Sequence, residues 1–131
     1  MWHRPRRPAR PGEDDFCSLR SPVDADLLAG KGVRVLHFSP VGRGFSWGQD
    51  DFCGPEGQDS LRAALDYLCG LSGVERGRVV VFSVTTGLSL AAPVLAAEGR
   101  RLGVQALVDL NGPTNREELN ATGVMPPAAL Q

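Results

Sequence analysis

The stretch VVVFSVTTGLSL, residues 79–90, runs an apolar strand-like segment into a serine, Ser83, and then a threonine pair. A serine hydroxyl delivered at a strand-to-helix turn stands clear of the backbone and can attack an acyl carbon, provided that a base takes its proton. The chain has two histidines, His3 and His37, and both precede Ser83. His37 lies inside the apolar run VRVLHF, where an imidazole reads first as a satisfied structural residue. Gly42, Gly44 and Gly48 raise a different chemistry, the cradling of a dinucleotide. Their spacing is G-x-G-x-x-x-G, and QDDFCGPEG follows rather than the helix whose N-terminus would face a pyrophosphate. Asp50 and Asp51 are metal-ligand types, but an acidic pair in a glycine-rich loop reads as a solvated loop. Phe45 and Trp47 are expected to pack that loop onto a core rather than line a pocket.

The elements that must position these residues follow from periodicity. SPVDADLLAG reads as a short helix, with Ser21 as N-cap, Pro22 at the first position and Asp24 at capping-box spacing. VRVLHF, 33–38, reads as a strand. Residues 39–58 hold five glycines and two prolines and are expected to form a long loop. DSLRAALDYLCG is the clearest helix: Leu61, Ala64, Leu65 and Leu68 form one apolar stripe, with Asp59 or Ser60 as its cap. RVVVFS, 78–83, is a continuous apolar run of the kind found in strands covered on both faces. TTGLSLAAPVLAAEG has helix-like composition, with a kink or break expected at Pro93. VQALVDL, 104–110, is a further strand, closed by Asn111-Gly112-Pro113. The tail has room for one helical turn around NREEL. Strands alternating with helices predict an α/β fold with a three-layer parallel-sheet core.

Composition bounds the function classes. At 131 residues the chain is sized for one domain. Residues 1–12 carry four arginines and no acid, so the overall charge of −1 leaves the remainder acidic, at −5. An acidic body argues against nucleic acid as a partner, because phosphate contacts need a clustered basic face. No apolar run approaches the length of a membrane helix, and no membrane partner is expected. Three widely spaced cysteines, Cys17, Cys53 and Cys69, indicate neither a disulfide framework nor a zinc knuckle, so a reducing, cytoplasmic setting is expected. Asn120-Ala121-Thr122 is a glycosylation sequon without secretory context. The organisation read from the sequence is a disordered Arg/Pro-rich arm at 1–16, an α/β core at 17–113 and a tail at 114–131.

From Ser21 to about Pro113 the order of features resembles the α/β-hydrolase superfamily, most closely its dienelactone-hydrolase and prolyl-oligopeptidase-like members. FSPVGRGFSWG stands where the family has its glycine-rich loop, and QDSLRAALDYL where it has the following helix. GVERGRVVVFSVTTGLSLAA stands where the family has its nucleophile strand, elbow and helix, and VQALVDLNGP where it has the next strand and turn. The resemblance implies a partial α/β-hydrolase-like fold. It places Ser83 at the nucleophile, the Val84 backbone N–H at the oxyanion, and Asp109 as a triad acid or, on the blander reading, a turn aspartate. It implies an ester, amide or lactone as substrate, and neither cofactor nor metal. Departures are specific. Val81 and Thr85 stand where the family has small residues, Ser39 replaces the loop aspartate, and no histidine follows Ser83.

The expectation is an α/β-hydrolase-like protein, ancestrally a serine hydrolase, that is truncated and weak or inactive as this chain. The alternative is a non-catalytic interaction module or remnant; nucleotide binding ranks below both. A strand missing from the family's order would leave sheet edges open and favour self-association.

Overall fold

The computed structural model describes residues 23–44 and 46–113. The Arg/Pro arm, Cys17, Ser21, Pro22, Phe45, the tail and its sequon lie outside the described residues. The chain divides into two compact units, Met1–Gln49 and Asp50–Gln131.

In the first unit, α1 spans Ala25–Gly30. It starts later than Ser21 and Pro22 implied, because Asp24 itself is the cap: its carboxylate accepts from the Leu27 N–H at 2.9 Å. VRVLHF forms no strand. Residues 33–37 are exposed, and 33–40 carry no regular structure. β-Branched composition favours an extended backbone there, but strand identity needs a ladder partner, which sequence propensity does not supply. The glycine-rich loop closes on itself through Gly42 N–H to Trp47 O at 3.2 Å and Ser46 Oγ to Ser39 O at 2.6 Å.

The second unit is built from α2 (Pro55–Gly70), β1 (Val79–Val84), α3 (Gly87–Glu98) and β2 (Val104–Leu110). α2 begins four residues before the expected cap at Asp59, with Pro55 in its first turn. The determinant is Asp51. Its carboxylate accepts from the N–H groups of Gly54 (3.1 Å), Glu56 (2.7 Å) and Gly57 (3.2 Å), donors that a helix start otherwise leaves unpaired. The acidic pair is therefore structural, since Asp50 likewise accepts from the Phe52 N–H at 2.9 Å. α3 runs through Pro93 without a break. The proline is exposed, and its cost is the hydrogen bond that it cannot donate.

β1 and β2 form a two-stranded parallel sheet. The pairing jumps from Val79↔Val104 to Val80↔Ala106, so Gln105 is an extra residue in β2, and from there the register is even, through Phe82↔Val108, Ser83↔Asp109 and Val84↔Leu110. α3 packs on both strands, and α2 packs on α3. The core between them comprises Leu61 and Leu65 of α2, Val79 of β1, Leu90, Ala91 and Val94 of α3, and Leu102 in the turn that follows. Val94 and Leu102 have no accessible surface, and burial of each contributes about 1.5–3 kcal/mol. The helices are also tied at their surface. Arg62 of α2 donates to Glu98 of α3 at 2.7 Å, and Arg101 bridges the same carboxylate at 2.8 Å. The Arg62 hydrogen bond, then that of Arg101, holds the Glu98 carboxyl below its ordinary range.

The continuous apolar run of β1 is not covered on both faces. Val79 and Ser83 are buried, whereas Val80 and Phe82 are exposed, as are Ala106, Val108 and Leu110 of β2 on the same side. The unit is α/β, with a two-stranded parallel sheet and helices on it.

Candidate functional site

The strand-to-helix turn between β1 and α3 brings the sequence-predicted residues together. Ser83 is 5% exposed, a polar residue inside an otherwise apolar core. Burial of a hydroxyl is costly unless it is bonded, and its partner stands opposite in the register: Ser83 Oγ donates to Asp109 Oδ1. The other Asp109 oxygen accepts from the Gly112 N–H at 2.6 Å. A β-carbon at Gly112 would sit 2.5 Å from both Asp109 Oδ2 and Leu88 Cβ, so only glycine lets the turn after β2 close against the start of α3. Asp109 is therefore the hub that ties the end of β1 to the end of β2.

In a serine–histidine–aspartate site the imidazole stands between hydroxyl and carboxylate and carries the proton. Here hydroxyl and carboxylate touch directly, with no place between them for a ring. His37 is exposed in the first unit, and the sequence holds no histidine in residues 50–131.

The strained residue of the turn is Thr85. Its φ is +50°, while Ser83 and Val84 are ordinary strand residues without positive φ. A β-branched side chain in the left-handed region is a conformational outlier, and such outliers persist only where their surroundings enforce them. The enforcing contacts are visible. Thr85 N–H donates to Leu110 O at 3.0 Å, and Thr85 O accepts from Leu88 N–H at 3.2 Å. A β-carbon at Gly87 would lie 3.3 Å from Ser83 Cβ, so the residues two before and two after Thr85 pack on each other. This is the geometry of a small-x-apex-x-glycine elbow, with Ser83 and Gly87 as the small pair and Thr85, exposed, at the apex.

With the turn centred on Ser83, Thr85 stands where the resemblance calls for a small residue, whereas the structure puts the left-handed residue of the turn at Thr85. The signal was available in the spacing Ser83-x-Thr85-x-Gly87, which satisfies the small–hydroxyl–small pattern two residues later than the reading centred on Ser83. Val84 lies inside β1, and the N–H groups at the start of α3 are those of Thr86, the N-cap, and Gly87. Thr86 has no side-chain cap bond, and the helix start carries a positive partial charge.

The loop before α2 packs beneath this turn. Cys53 is buried, and its thiol donates to Thr86 O at 3.5 Å. Phe52 and Cys53 adopt consecutive positive φ values, +52° and +69°. Cys53 and Cys69 are free thiols. Trp47 does not pack the glycine-rich loop onto a core as expected: it is 89% exposed, and the Gly42–Trp47 backbone bond closes the loop without it. Among the described residues no group of three or more histidine, cysteine or acidic side chains is arranged to hold a metal ion, and no helix is long and apolar enough to cross a membrane.

No family model, curated protein or solved structure matches the chain.

Proposed function

We propose that residues 50–131 carry an α/β-hydrolase-like acyl-transfer elbow, descended from a hydrolase of esters, amides or lactones, whose nucleophile position is Thr85. The observation that carries this reading is the left-handed Thr85 at a strand-to-helix turn, with Ser83 and Gly87 packed against each other behind it. That arrangement costs conformational energy, and the Thr85 side chain at its apex is exposed. It sets the Thr85 hydroxyl directly before the first N–H groups of α3, those of Thr86 and Gly87, the kind of donors that stabilise an oxyanion. In the reaction, Thr85 Oγ1 bonds to the acyl carbon as its proton passes to a base, and the alcohol, amine or ring oxygen of the substrate leaves with a proton. The base must come from outside residues 50–131 if it is a histidine, so the reading includes weak or absent turnover by this unit alone. A three-layer core, a cytoplasmic setting and a small-molecule substrate belong to the same proposal.

A second reading, a non-catalytic α/β module, is favoured by one contact. The direct Ser83–Asp109 bond occupies the carboxylate that a triad would use to orient its imidazole.

Labelling by a fluorophosphonate probe separates the two. The wild type should be labelled on the tryptic peptide 79–100, Thr85→Ala should not, and Ser83→Ala should be labelled still, with circular dichroism showing each variant folded. Absence of labelling on the wild type supports the non-catalytic module. Labelling that survives Thr85→Ala and disappears in Ser83→Ala returns the nucleophile to Ser83.

A further inference from the structure

The arginines of the second unit are unevenly used. Residues 50–113 hold five of them against eight acids. Three are paired: Arg62 with Asp59 and Glu98, Arg101 with Glu98 and Asp66, and Arg78 with Glu75. Arg76 and Arg100 are exposed and, among the described residues, have no acidic partner. The two stand together, at the end of the sheet where β1 and β2 begin, the far end from the Thr85 elbow. Backbone bonds clasp the turns that lead into the strands. Gly77 N–H donates to Gly103 O at 3.0 Å, and Gly103 N–H donates to Arg100 O at 3.1 Å. Gly77 and Gly103 are left-handed, at φ +86° and +73°, and a β-carbon at Gly103 would lie 3.3 Å from Arg76 Cβ. Arg76 Nη1 donates to Arg101 O at 3.2 Å, which carries its guanidinium onto the neighbouring turn. The two turns, 75–78 and 99–103, thus hold four exposed arginines and one acid, Glu75, in a unit whose remaining charge is mostly negative. Gathered like charges repel one another, and their summed field attracts an anion.

We propose that this end of the sheet docks an acidic peptide segment of a partner protein. Guanidinium forks take carboxylates two bonds at a time. The Arg78–Glu75 pair is exposed, so it holds weakly and yields to a carboxylate from outside. Each such contact is also weak in water, so a lone carboxylate or phosphate ion is poorly held, whereas several carboxylates on one segment act together. A nucleic-acid backbone matches less well, because its charge is continuous and would run on against the unit's excess of acids. The surface is separate from the elbow, and the inference stands or falls without Thr85.

The test uses the full chain and a fluorescein-labelled hexaglutamate peptide, read by fluorescence anisotropy at low ionic strength. The wild type should bind the peptide, and added salt should weaken the binding. Arg76→Glu and Arg100→Glu should each weaken it several-fold, with circular dichroism unchanged. Arg100 has no side-chain bond to lose among the described residues, so its variant reads binding rather than folding. Arg34→Glu, at an exposed arginine of the first unit, makes the same change in net charge and should leave the affinity unchanged. Failure of the wild type to bind, or equal weakening by Arg34→Glu, overturns the proposal. Tighter binding of a labelled hexauridylate also overturns it, in favour of nucleic acid. Displacement of the peptide by free glutamate or inorganic phosphate at the same concentration of charge overturns it in favour of a single anion.

Discussion

Replacing Thr85 by glycine should stabilise the protein, contrary to the usual effect of glycine. The left-handed backbone costs an L-residue about 1–2 kcal/mol, and glycine does not incur it. Glycine in turn loses about 0.5–1 kcal/mol through the greater freedom of the unfolded chain. The Thr85 side chain is exposed, and the bonds that hold the turn, Thr85 N–H to Leu110 O and Leu88 N–H to Thr85 O, are backbone bonds that glycine keeps. The net expectation is a gain of about 0.5–1 kcal/mol, or roughly 2–8 °C in Tm for a unit of this size. Thr85→Ala keeps the β-carbon and most of the strain, so it should gain less than half as much. Thermal unfolding of the full chain followed by circular dichroism reads both. If Thr85→Gly melts at or below Thr85→Ala, the strain assigned to the elbow is absent and the argument from an enforced apex fails. The same variant removes the hydroxyl, so it should be more stable and unlabelled by an acyl-directed probe, the trade expected where strain serves a site.

Three further outcomes follow from the contacts around this turn. Ser83→Ala should cost about 1–2 kcal/mol in urea unfolding, below the full range for a bond to a charged group because Asp109 is partly exposed and keeps the Gly112 N–H; a double-mutant cycle with Asp109→Asn should return a coupling above about 0.5 kcal/mol. Leu102→Ala, at a side chain with no accessible surface, should cost about 2–5 kcal/mol, a large fraction of a small unit's stability, and lower the urea midpoint accordingly. Glu98 is held below its ordinary value of 4.5 by Arg62 and Arg101, so its stabilisation is complete above that pH and is lost as pH falls from there through the folded-state value. Glu98→Gln should therefore lie furthest from the wild type near neutrality and converge with it in acid, and added salt should narrow the difference.

What was legible in the sequence depended on how local the determinant is. VQALVDL forms β2 over the expected residues, and RVVVFS lies within one residue of β1, because apolar β-branched runs bounded by turn residues leave few alternatives. The stripe of α2 was legible at Leu61 and Leu65, but its first turn was not: Gly54-Pro55 reads as a loop until the Asp51 carboxylate is seen to bind three N–H groups at once. VRVLHF failed for the opposite reason, since its composition suits a strand and pairing is a property of a partner. At the elbow, the contact of Ser83 with Asp109 depends on two strands placed side by side. The left-handed Thr85, with Gly87 packed back onto Ser83, lies within five residues, and the spacing Ser83-x-Thr85-x-Gly87 is its signal.

The extra residue Gln105 decides which side chain Ser83 meets. Continued evenly from Val79↔Val104, the count would set Ser83 opposite Val108, and Asp109 opposite Val84 on the far side of the sheet. Because Gln105 stands out of the pairing near the start of β2, the rest of the strand is a step further on, and a carboxylate rather than a valine arrives beside the buried hydroxyl. The polar contact at one end of the sheet is thus set by arithmetic at the other. Deleting Gln105 would remove the irregularity and leave Ser83 opposite Asp109, whereas a deletion within residues 106–108 would carry the strand past the buried hydroxyl by an error of phase.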